Sequence, residues 1–353
     1  MSVFTNDAIN GIAPYVPGEQ PKDKSYIKLN TNENPYFASK CAVTSVGSEF
    51  LGGLNRYSDP ECSSLTKAIA KYYGVGEKNV LVTNGSDEAI AFAFFAYGGQ
   101  GVVYPDITYG FYNVIANLYG CPIKQIALKS NFEIDETEYF KAGRTVVIAN
   151  PNAQTGIELA REKLVRIIES NDGNVVIVDQ AYADFGTYNA IELVKSYKNL
   201  LVINTFSKSR SLAGARVGYA VADEELIGDL KKVKNSFHPY NVNSVSALLA
   251  EKAIADDAYF KATVDKIKKN RELLINELAR LGFFCLKSSA NFVLARTDKV
   301  SGEVLYRKLK ENGVLVRHFN DERIRDFIRI TVGTEEEIKV LIRVTELIIG
   351  GEV

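Results

Sequence analysis

Apolar residues follow two alternating patterns along the chain, short β-branched runs and longer stretches with helical periodicity. The short runs predict strands at residues 80–83, 101–104, 123–127, 145–149, 175–178, 200–204 and 217–222. The helical stretches lie among them, at residues 61–73, from residue 86, after residue 108 and at residues 162–169. Because such alternation is typical of a mainly parallel sheet covered by helices on both faces, we predict an α/β fold for this part.

The pattern changes after residue 223. Residues 224–281 are largely helical and include one long helix around residues 257–281. Further short strands are predicted at residues 283–286, 291–295, 315–317 and 327–331, with helices near 301–312 and 334–348. These elements indicate a second, smaller α+β unit. We expect a large domain over residues 31–240 and a small domain formed by residues 1–30, as an N-terminal arm, and 241–353.

One short segment carries a candidate reactive lysine. Lys208 lies between two serines, and the segment begins at Thr205 and ends at Arg216. A lysine amine can bond covalently to an aldehyde cofactor when its surroundings keep the amine neutral. Thr205, Ser207 and Arg216 can donate hydrogen bonds to a dianionic phosphate. The segment therefore suits an aldehyde cofactor that carries a phosphate.

A second motif follows the apolar run at residues 175–178, which reads as a strand buried on both faces. This strand delivers Asp179 and Tyr182 at its carboxyl end, where ligands of open α/β sheets bind. An aspartate there can pair with a protonated ring nitrogen, and a tyrosine can reach a phenolic oxygen. Capping of a helix is the alternative role for Asp179. The separation of 208 − 179 = 29 residues leaves room for one helix and the next strand before Lys208.

A third motif lies at residues 84–88, between a predicted strand and the apolar stretch 89–96. Free backbone amides at a helix start form an anion site, and Gly85 would allow a phosphate to approach closely. Ser86 and Asp87 would contribute through their backbone N–H groups. An ordinary capped helix fits the same residues.

Taken in order, the motifs resemble those of class I/II aminotransferases, and more narrowly the histidinol-phosphate aminotransferase branch. The resemblance rests also on residues 13–18 (A-P-Y-V-P-G), 29–35 (L-N-T-N-E-N-P), 56–60 (R-Y-S-D-P), 104–112 (Y-P-D-I-T-Y-G-F-Y) and 327–333 (F-I-R-I-T-V-G). It covers nearly the whole chain. It implies an enzyme of fold type I that depends on pyridoxal 5′-phosphate (PLP) and transfers an amino group between a small phosphorylated or carboxylated amine and a 2-oxo acid.

The resemblance also implies a role for each matching residue. Lys208, Asp179 and Tyr182 would be catalytic, Lys208 carrying PLP, Asp179 facing the pyridine nitrogen and Tyr182 the phenolic oxygen O3′. The remaining cofactor contacts would come from Ser86, Asp87, Tyr109, Thr205, Ser207 and Arg216, and from Tyr57 reaching into the neighbouring subunit. The substrate's anionic group would be bound by Arg329, Arg317, Tyr15 and Asn32. An active site that takes Tyr57 from a neighbouring subunit implies a homodimer.

One motif departs from the family pattern. The family's N-P-N-N-P-T-G is here N-P-N-A-Q-T-G at residues 150–156, so Ala153 replaces the asparagine that normally bonds O3′. The replacement is either drift within an ordinary transaminase or a sign of a changed reaction or substrate. Two alternatives therefore stay open, a PLP-dependent decarboxylase of a phosphorylated amino acid and a non-catalytic PLP- or amine-binding protein.

Composition and charge narrow the classes of function that remain open. The chain of 353 residues has 42 basic and 43 acidic residues and a net charge of −1, which gives no overall attraction to nucleic acid. Its four cysteines and two histidines lack the spacing of a metal site, so we expect no metal. The N-terminus lacks the pattern of a secretory signal, and no apolar stretch is long enough to span a bilayer. We expect a cytoplasmic enzyme without a membrane partner.

Overall fold

The computed structural model describes Ser2, Phe4–Thr5 and residues 11–351. In these ranges the strands are β1 Ile27–Lys28, β2 Val80–Thr83, β3 Val102–Pro105, β4 Ile123–Ile126, β5 Thr145–Ala149, β6 Val176–Asp179, β7 Leu200–Thr205, β8 Gly218–Ala222, β9 Phe284–Cys285, β10 Phe292–Arg296, β11 Val314–Leu315, β12 Arg317–His318 and β13 Ile328–Thr331. The α-helices are α1 Lys40–Thr44, α2 Ser48–Gly52, α3 Ser63–Tyr73, α4 Ser86–Tyr97, α5 Phe111–Leu118, α6 Arg161–Ser170, α7 Glu224–Phe237, α8 Ser244–Ala255, α9 Asp257–Arg280, α10 Gly302–Glu311 and α11 Glu335–Gly350.

Seven strands form the central sheet, in the order β2-β8-β7-β6-β5-β3-β4. Strand β8 runs antiparallel to both of its neighbours, and the other pairs are parallel. Successive residues of the inner strands enter two separate hydrophobic clusters, for example Val176 and Val178 in one and Ile177 in the other. The β-branched runs are therefore apolar throughout because both faces of the sheet are covered. The α/β fold class with a mainly parallel sheet is confirmed.

A four-stranded antiparallel sheet, β12-β13-β10-β9, forms the C-terminal part of the molecule. Beside it, β1 from the N-terminal arm pairs in parallel with β11. The single strand predicted at residues 315–317 is therefore wrong in detail: residues 314–318 form two short strands, β11 and β12, which pair with different partners. The domain boundaries 31–240, 1–30 and 241–353 stay a prediction, and residues 1, 3, 6–10, 352 and 353 of that prediction lie outside the described residues.

The sheet determines where polar residues gather. Strands β5, β6 and β7 are parallel and in register, with Ala149 opposite Asp179 and Asp179 opposite Ile203. Their carboxyl ends therefore meet at one edge, which brings the residues that follow β5 and β7 beside Asp179. Helix α4 begins at the same edge, directly after β2. Among the helices that the structure describes, none is long and apolar enough to cross a membrane.

Candidate active site

An open cleft of about 610 Å³ lies at the carboxyl edge of the central sheet and is bordered by the C-terminal part of the chain. Its volume is in the range of cofactor and ligand sites. Thirteen of the fourteen residues that the sequence analysis selected line it, namely Tyr15, Asn32, Ser86, Asp87, Tyr109, Asp179, Tyr182, Thr205, Ser207, Lys208, Arg216, Arg317 and Arg329. The cleft therefore brings together motifs that are far apart in the sequence.

Lys208 follows β7 in a short loop and points into the cleft. Its Nζ donates to the carbonyl oxygen of Thr31 at 3.2 Å, and this contact joins the loop to the segment that follows β1. Burial, together with the positive charge of Arg329, lowers the pKa of the amine to about 8. A substantial fraction is then neutral near pH 8, and a neutral amine is the form that attacks an aldehyde.

Asp179 is the last residue of β6 and is buried. Its carboxylate accepts hydrogen bonds from the Tyr112 hydroxyl at 2.7 Å and from the backbone N–H of Ala181 at 3.1 Å. Burial raises the pKa of Asp179 to about 6, and the bond from Tyr112 opposes that shift. Sequence reasoning missed Tyr112, although it belongs to the same aromatic motif as Tyr109.

Tyr182 lies near Lys208, whose Nζ is 5.8 Å from the centre of the phenol ring. The Asn32 side-chain amide donates to the Tyr182 hydroxyl at 2.9 Å. Asn32 has a left-handed backbone with φ of 55°, and its N–H donates to the Thr331 hydroxyl. Burial raises the pKa of Tyr182, while Arg329 and the bond from Asn32 lower it. Asn32 therefore contacts the catalytic candidate Tyr182 instead of lying only on the substrate side.

A cradle for a phosphate forms where β2, α4, β7 and β8 meet. Gly85 precedes α4 with φ of 78°, and a Cβ there would lie 2.6 Å from the Arg216 guanidinium. A Cβ on Gly218 would lie 2.5 Å from the backbone of Gly85. Thr205 and Ser207 are buried beside them, with their hydroxyl oxygens 2.9 Å apart. Only glycine leaves this space open.

Asp87 enters the site through its side chain as well as its backbone position. Its carboxylate accepts from the Tyr109 hydroxyl at 3.0 Å and pairs with Arg216 at 3.3 Å. The expectation of a backbone role alone is therefore incomplete. Tyr109 is fixed by this bond and by edge-on contacts with Tyr15 and Tyr112, at centroid distances of 5.8 and 5.7 Å. Its ring borders the cleft, where a planar cofactor ring can stack.

Two arginines of the four-stranded sheet, one in β12 and one in β13, line the cleft. Arg329 Nη1 donates to the Ala153 carbonyl oxygen and to Gln154 Oε1, each at 3.0 Å, while its buried Nε has no partner among the described residues. Arg317 donates to the carbonyl oxygens of Val16 and Pro17 in the N-terminal arm, at 3.1 and 3.2 Å. Arg329 therefore keeps an N–H for an anionic ligand, whereas Arg317 holds the arm that carries Tyr15.

Tyr57 is the one predicted site residue outside this cleft. It is 85% exposed and stacks on Tyr240, with ring centroids 4.7 Å apart. Sequence reasoning expected it to reach the neighbouring subunit, and that role stays a prediction.

The residues fit PLP on two grounds. The glycine cradle beside Arg216 leaves room for a dianionic phosphate at a helix start. Lys208 offers an amine of lowered pKa, and Asp179 offers a buried carboxylate for a ring nitrogen.

Comparison with known proteins gives the family. A family model described as aminotransferase class I and II matches residues 24–344. The chain belongs to this family. It is therefore a PLP-dependent transaminase, as the motif resemblance predicted.

Individual relatives extend over the whole chain. A protein of Clostridium beijerinckii named histidinol-phosphate aminotransferase is 45% identical over 352 residues, which cover 99% of this chain and 98% of that protein. The solved histidinol-phosphate aminotransferase from Sinorhizobium meliloti, in complex with PLP, has a TM-score of 0.90 at 22% identity and covers 100% of this chain and 99% of its own. L-threonine-O-3-phosphate decarboxylase from Porphyromonas gingivalis has a TM-score of 0.79 at 23% identity, with 92% and 99% coverage. At these identities both structures show the fold alone.

Proposed function

We propose that the protein transfers the amino group of a small phosphorylated amine, of the histidinol-phosphate kind, to a 2-oxo acid. The observation that carries this proposal is Arg329, which borders the same cleft as Lys208 and has a buried N–H that finds no partner in the described ranges of the chain. A guanidinium binds phosphate and carboxylate groups in a planar, two-point geometry, so it can hold both kinds of substrate in turn. The name of the 45% identical relative supports a phosphorylated amine.

The chain's own residues supply the proton movements. PLP, when bound, supplies an aldehyde for the substrate amine and a ring that withdraws electrons. Lys208 would hold PLP before the reaction and then move a proton from the substrate Cα to the aldehyde carbon. Its lowered pKa keeps the amine available as a base near neutral pH.

The neighbouring residues would fix the charges around Lys208. Asp179 would pair with the protonated ring nitrogen, and its carboxylate is held in place by Tyr112. Tyr182 would donate to O3′, oriented by the amide of Asn32. Because Ala153 has no polar side chain, Tyr182 would be the main partner of O3′ in this chain. Arg216 and the hydroxyls of the cradle would bind the cofactor phosphate.

We also propose that the enzyme is a homodimer with shared active sites. The exposed aromatic pair Tyr57 and Tyr240 supports this, because a stacked apolar pair on a surface favours contact with another chain. Tyr57 would then reach the cofactor phosphate in the neighbouring subunit. Cytoplasmic location and a place in amino-acid biosynthesis also belong to this proposal.

The test is to incubate the PLP-loaded enzyme with phosphorylated amines and amino acids plus 2-oxoglutarate, and to identify products by mass. Histidinol phosphate should give the corresponding ketone, and 2-oxoglutarate should give glutamate. Borohydride reduction and peptide mapping should place the cofactor on Lys208. Release of carbon dioxide from a phosphorylated amino acid, without glutamate, would instead establish the decarboxylase alternative. A PLP adduct without turnover of any amine would establish the binding protein.

A further inference from the structure

Gln154 contacts one edge of Arg329, the arginine that is expected to bind the substrate. Its Oε1 accepts from Arg329 Nη1 at 3.0 Å, and the neighbouring carbonyl oxygen of Ala153 accepts from the same nitrogen at 3.0 Å. The guanidinium also lies over the rings of Phe292 and Phe319, at 5.1 and 5.3 Å. Arg329 is therefore fixed by the turn at residues 153–154 and by two aromatic rings.

Its opposite edge remains available. Arg329 Nε is buried without a partner among the described residues, and Nη2 makes only a long contact of 3.5 Å with the Asn30 carbonyl oxygen. Nε and one Nη of a guanidinium can bind two oxygens of one anion. The protein contacts to Nη1 thus leave Nε and Nη2 for a ligand in the cleft that Arg329 lines.

The turn beneath Gln154 is rigid. The Asn152 side-chain oxygen accepts from the backbone N–H groups of Gln154 and Thr155, at 2.9 and 3.1 Å, and its amide donates to the Ile107 carbonyl oxygen at 2.9 Å. Gly156 closes the turn with φ of 75°. A side chain on such a turn is held before a ligand arrives, which lowers the entropy cost of binding.

The side-chain NH₂ group of Gln154 is available to donate hydrogen bonds. A guanidinium has no acceptor, so the glutamine must present its oxygen to Arg329 and turn its NH₂ group away. That NH₂ group makes no hydrogen bond within the part of the chain that the structure describes. Gln154 borders the cleft together with Ala153 and Arg329. Its two N–H groups are therefore available in the cleft that Arg329 also lines.

Gln154 and Ala153 together form one change from the family motif. That motif has asparagine and proline at these two places, and this chain has alanine and glutamine. The amide has moved by one residue, from the position that bonds O3′ to the position that contacts Arg329.

We propose that Gln154 is a specificity-determining residue that favours phosphorylated substrates. Arg329 binds two oxygens of an anionic group, and Gln154 donates to a third oxygen, which a phosphate has and a carboxylate lacks. This inference rests on the proposed function, because it requires that a phosphorylated amine binds at Arg329.

The test uses Gln154→Met, which keeps the length of the side chain but removes the amide, and Gln154→Glu, which places a negative charge there. Kd is obtained from the concentration dependence of each half-reaction, followed by cofactor absorbance: histidinol phosphate is added to the PLP-loaded enzyme, and 2-oxoglutarate to the enzyme that carries the aminated cofactor. The PLP absorbance of each variant verifies that the site is assembled. Gln125→Met on the exposed face of β4 is the matched control.

We expect Gln154→Met to raise Kd for the phosphorylated amine about tenfold and for 2-oxoglutarate less than about threefold, because one charge-assisted hydrogen bond is lost only for the phosphate. Gln154→Glu should weaken the phosphorylated amine still more. Equal changes for both ligands, or unchanged phosphate binding in both variants, would overturn the role of Gln154. Failure of the parent enzyme to bind the phosphorylated amine would overturn the proposed function instead.

Discussion

Asp179 and Tyr112 show how a buried hydroxyl can tune a carboxylate. Asp179 must be ionised to pair with a protonated ring nitrogen, yet burial raises its pKa from the ordinary value of 3.8 to about 6. The bond from Tyr112, 67 residues earlier in the chain, stabilises the ionised form. Tyr112 is therefore a positioning residue for Asp179.

We expect Tyr112→Phe to raise the pKa of Asp179 further. The affinity of the apoenzyme for PLP should then fall at a higher pH than in the parent, since less Asp179 is ionised at each pH. At pH 7 the loss should be about twofold to tenfold, because a hydrogen bond to a charged group is worth about 1.5–3 kcal/mol and the parent carboxyl, with a pKa of about 6, is already mostly ionised there. The measurement is PLP affinity between pH 5 and 8 by fluorescence.

Tyr104→Phe provides the control, because Tyr104 is equally buried and, among the residues that the structure describes, its hydroxyl makes only a 3.5 Å contact with Asn113. If both variants lose affinity equally at every pH, Tyr112 acts through packing alone.

The pH dependence of Lys208 follows from its neighbours. Its pKa is lowered from 10.5 to about 8, first by burial and then by the charge of Arg329. The rate at which the apoenzyme combines with PLP should therefore rise with pH, because the neutral amine becomes the major form. The midpoint of this rise should lie near pH 8.

Arg329→Met should move this midpoint to higher pH, because the ammonium form of Lys208 loses a repelling charge. Arg296→Met, which removes an exposed arginine paired with Asp298 outside the cleft, should leave it unchanged. Stopped-flow absorbance at several pH values measures the midpoint. A midpoint near 10 in the parent would show that Lys208 is not desolvated.

At the scale of elements, strand β8 and the loop before α4 approach too closely for any side chain. A Cβ on Gly218 would lie 2.5 Å from the backbone of Gly85 and of Ser86. Gly218→Ala should therefore push β8 away from the phosphate cradle. We expect a loss of about 1–3 kcal/mol in the free energy of unfolding and weaker PLP binding.

Gly228→Ala is the matched control within α7, where a Cβ would meet nothing within 4 Å. Alanine there should stabilise the helix by roughly 0.5–1 kcal/mol. Urea unfolding of both apoenzymes gives the two changes. Equal stability of the two variants would show that the cradle is loose enough to accept a side chain.

The sequence predicts the bounds of a strand well where all residues of that strand have the same surroundings. The run at residues 145–149 is continuously apolar because both sides of β5 are covered, so its bounds match the structure. The strands at residues 314–318 could not be predicted correctly. Strand β11 pairs with β1 and strand β12 pairs with β13, and no local sequence pattern shows this change of partner.

The residues of the candidate site likewise include some that the sequence predicts and some contacts that it does not. Lys208 and Asp179 could be predicted because motifs place them at strand ends, where the rules of parallel sheets bring them together. The bonds from Tyr112 to Asp179 and from Arg329 to Gln154 join residues 67 and 175 positions apart. Such pairs depend on how the elements pack, which periodicity does not contain.

At the scale of the whole molecule, each cleft is expected to need two chains. Tyr57 is 85% exposed, lies outside the cleft of its own chain and stacks on Tyr240. If Tyr57 completes the site of a neighbouring subunit, Lys208 and Tyr57 of one active site come from different chains of a two-fold dimer.

Mixing two impaired variants tests this arrangement. Lys208→Ala removes the reactive amine, and Tyr57→Phe removes the phosphate contact, so each homodimer should be weak when PLP is limiting. In a mixed dimer, one site contains both changes and the other contains neither. Activity should therefore rise on mixing, toward about one quarter of the parent value, because random pairing makes half of the dimers mixed, each with one intact site. If Tyr57 acts in its own chain, every site keeps one of the two changes, and mixing cannot raise activity above the average of the two variants.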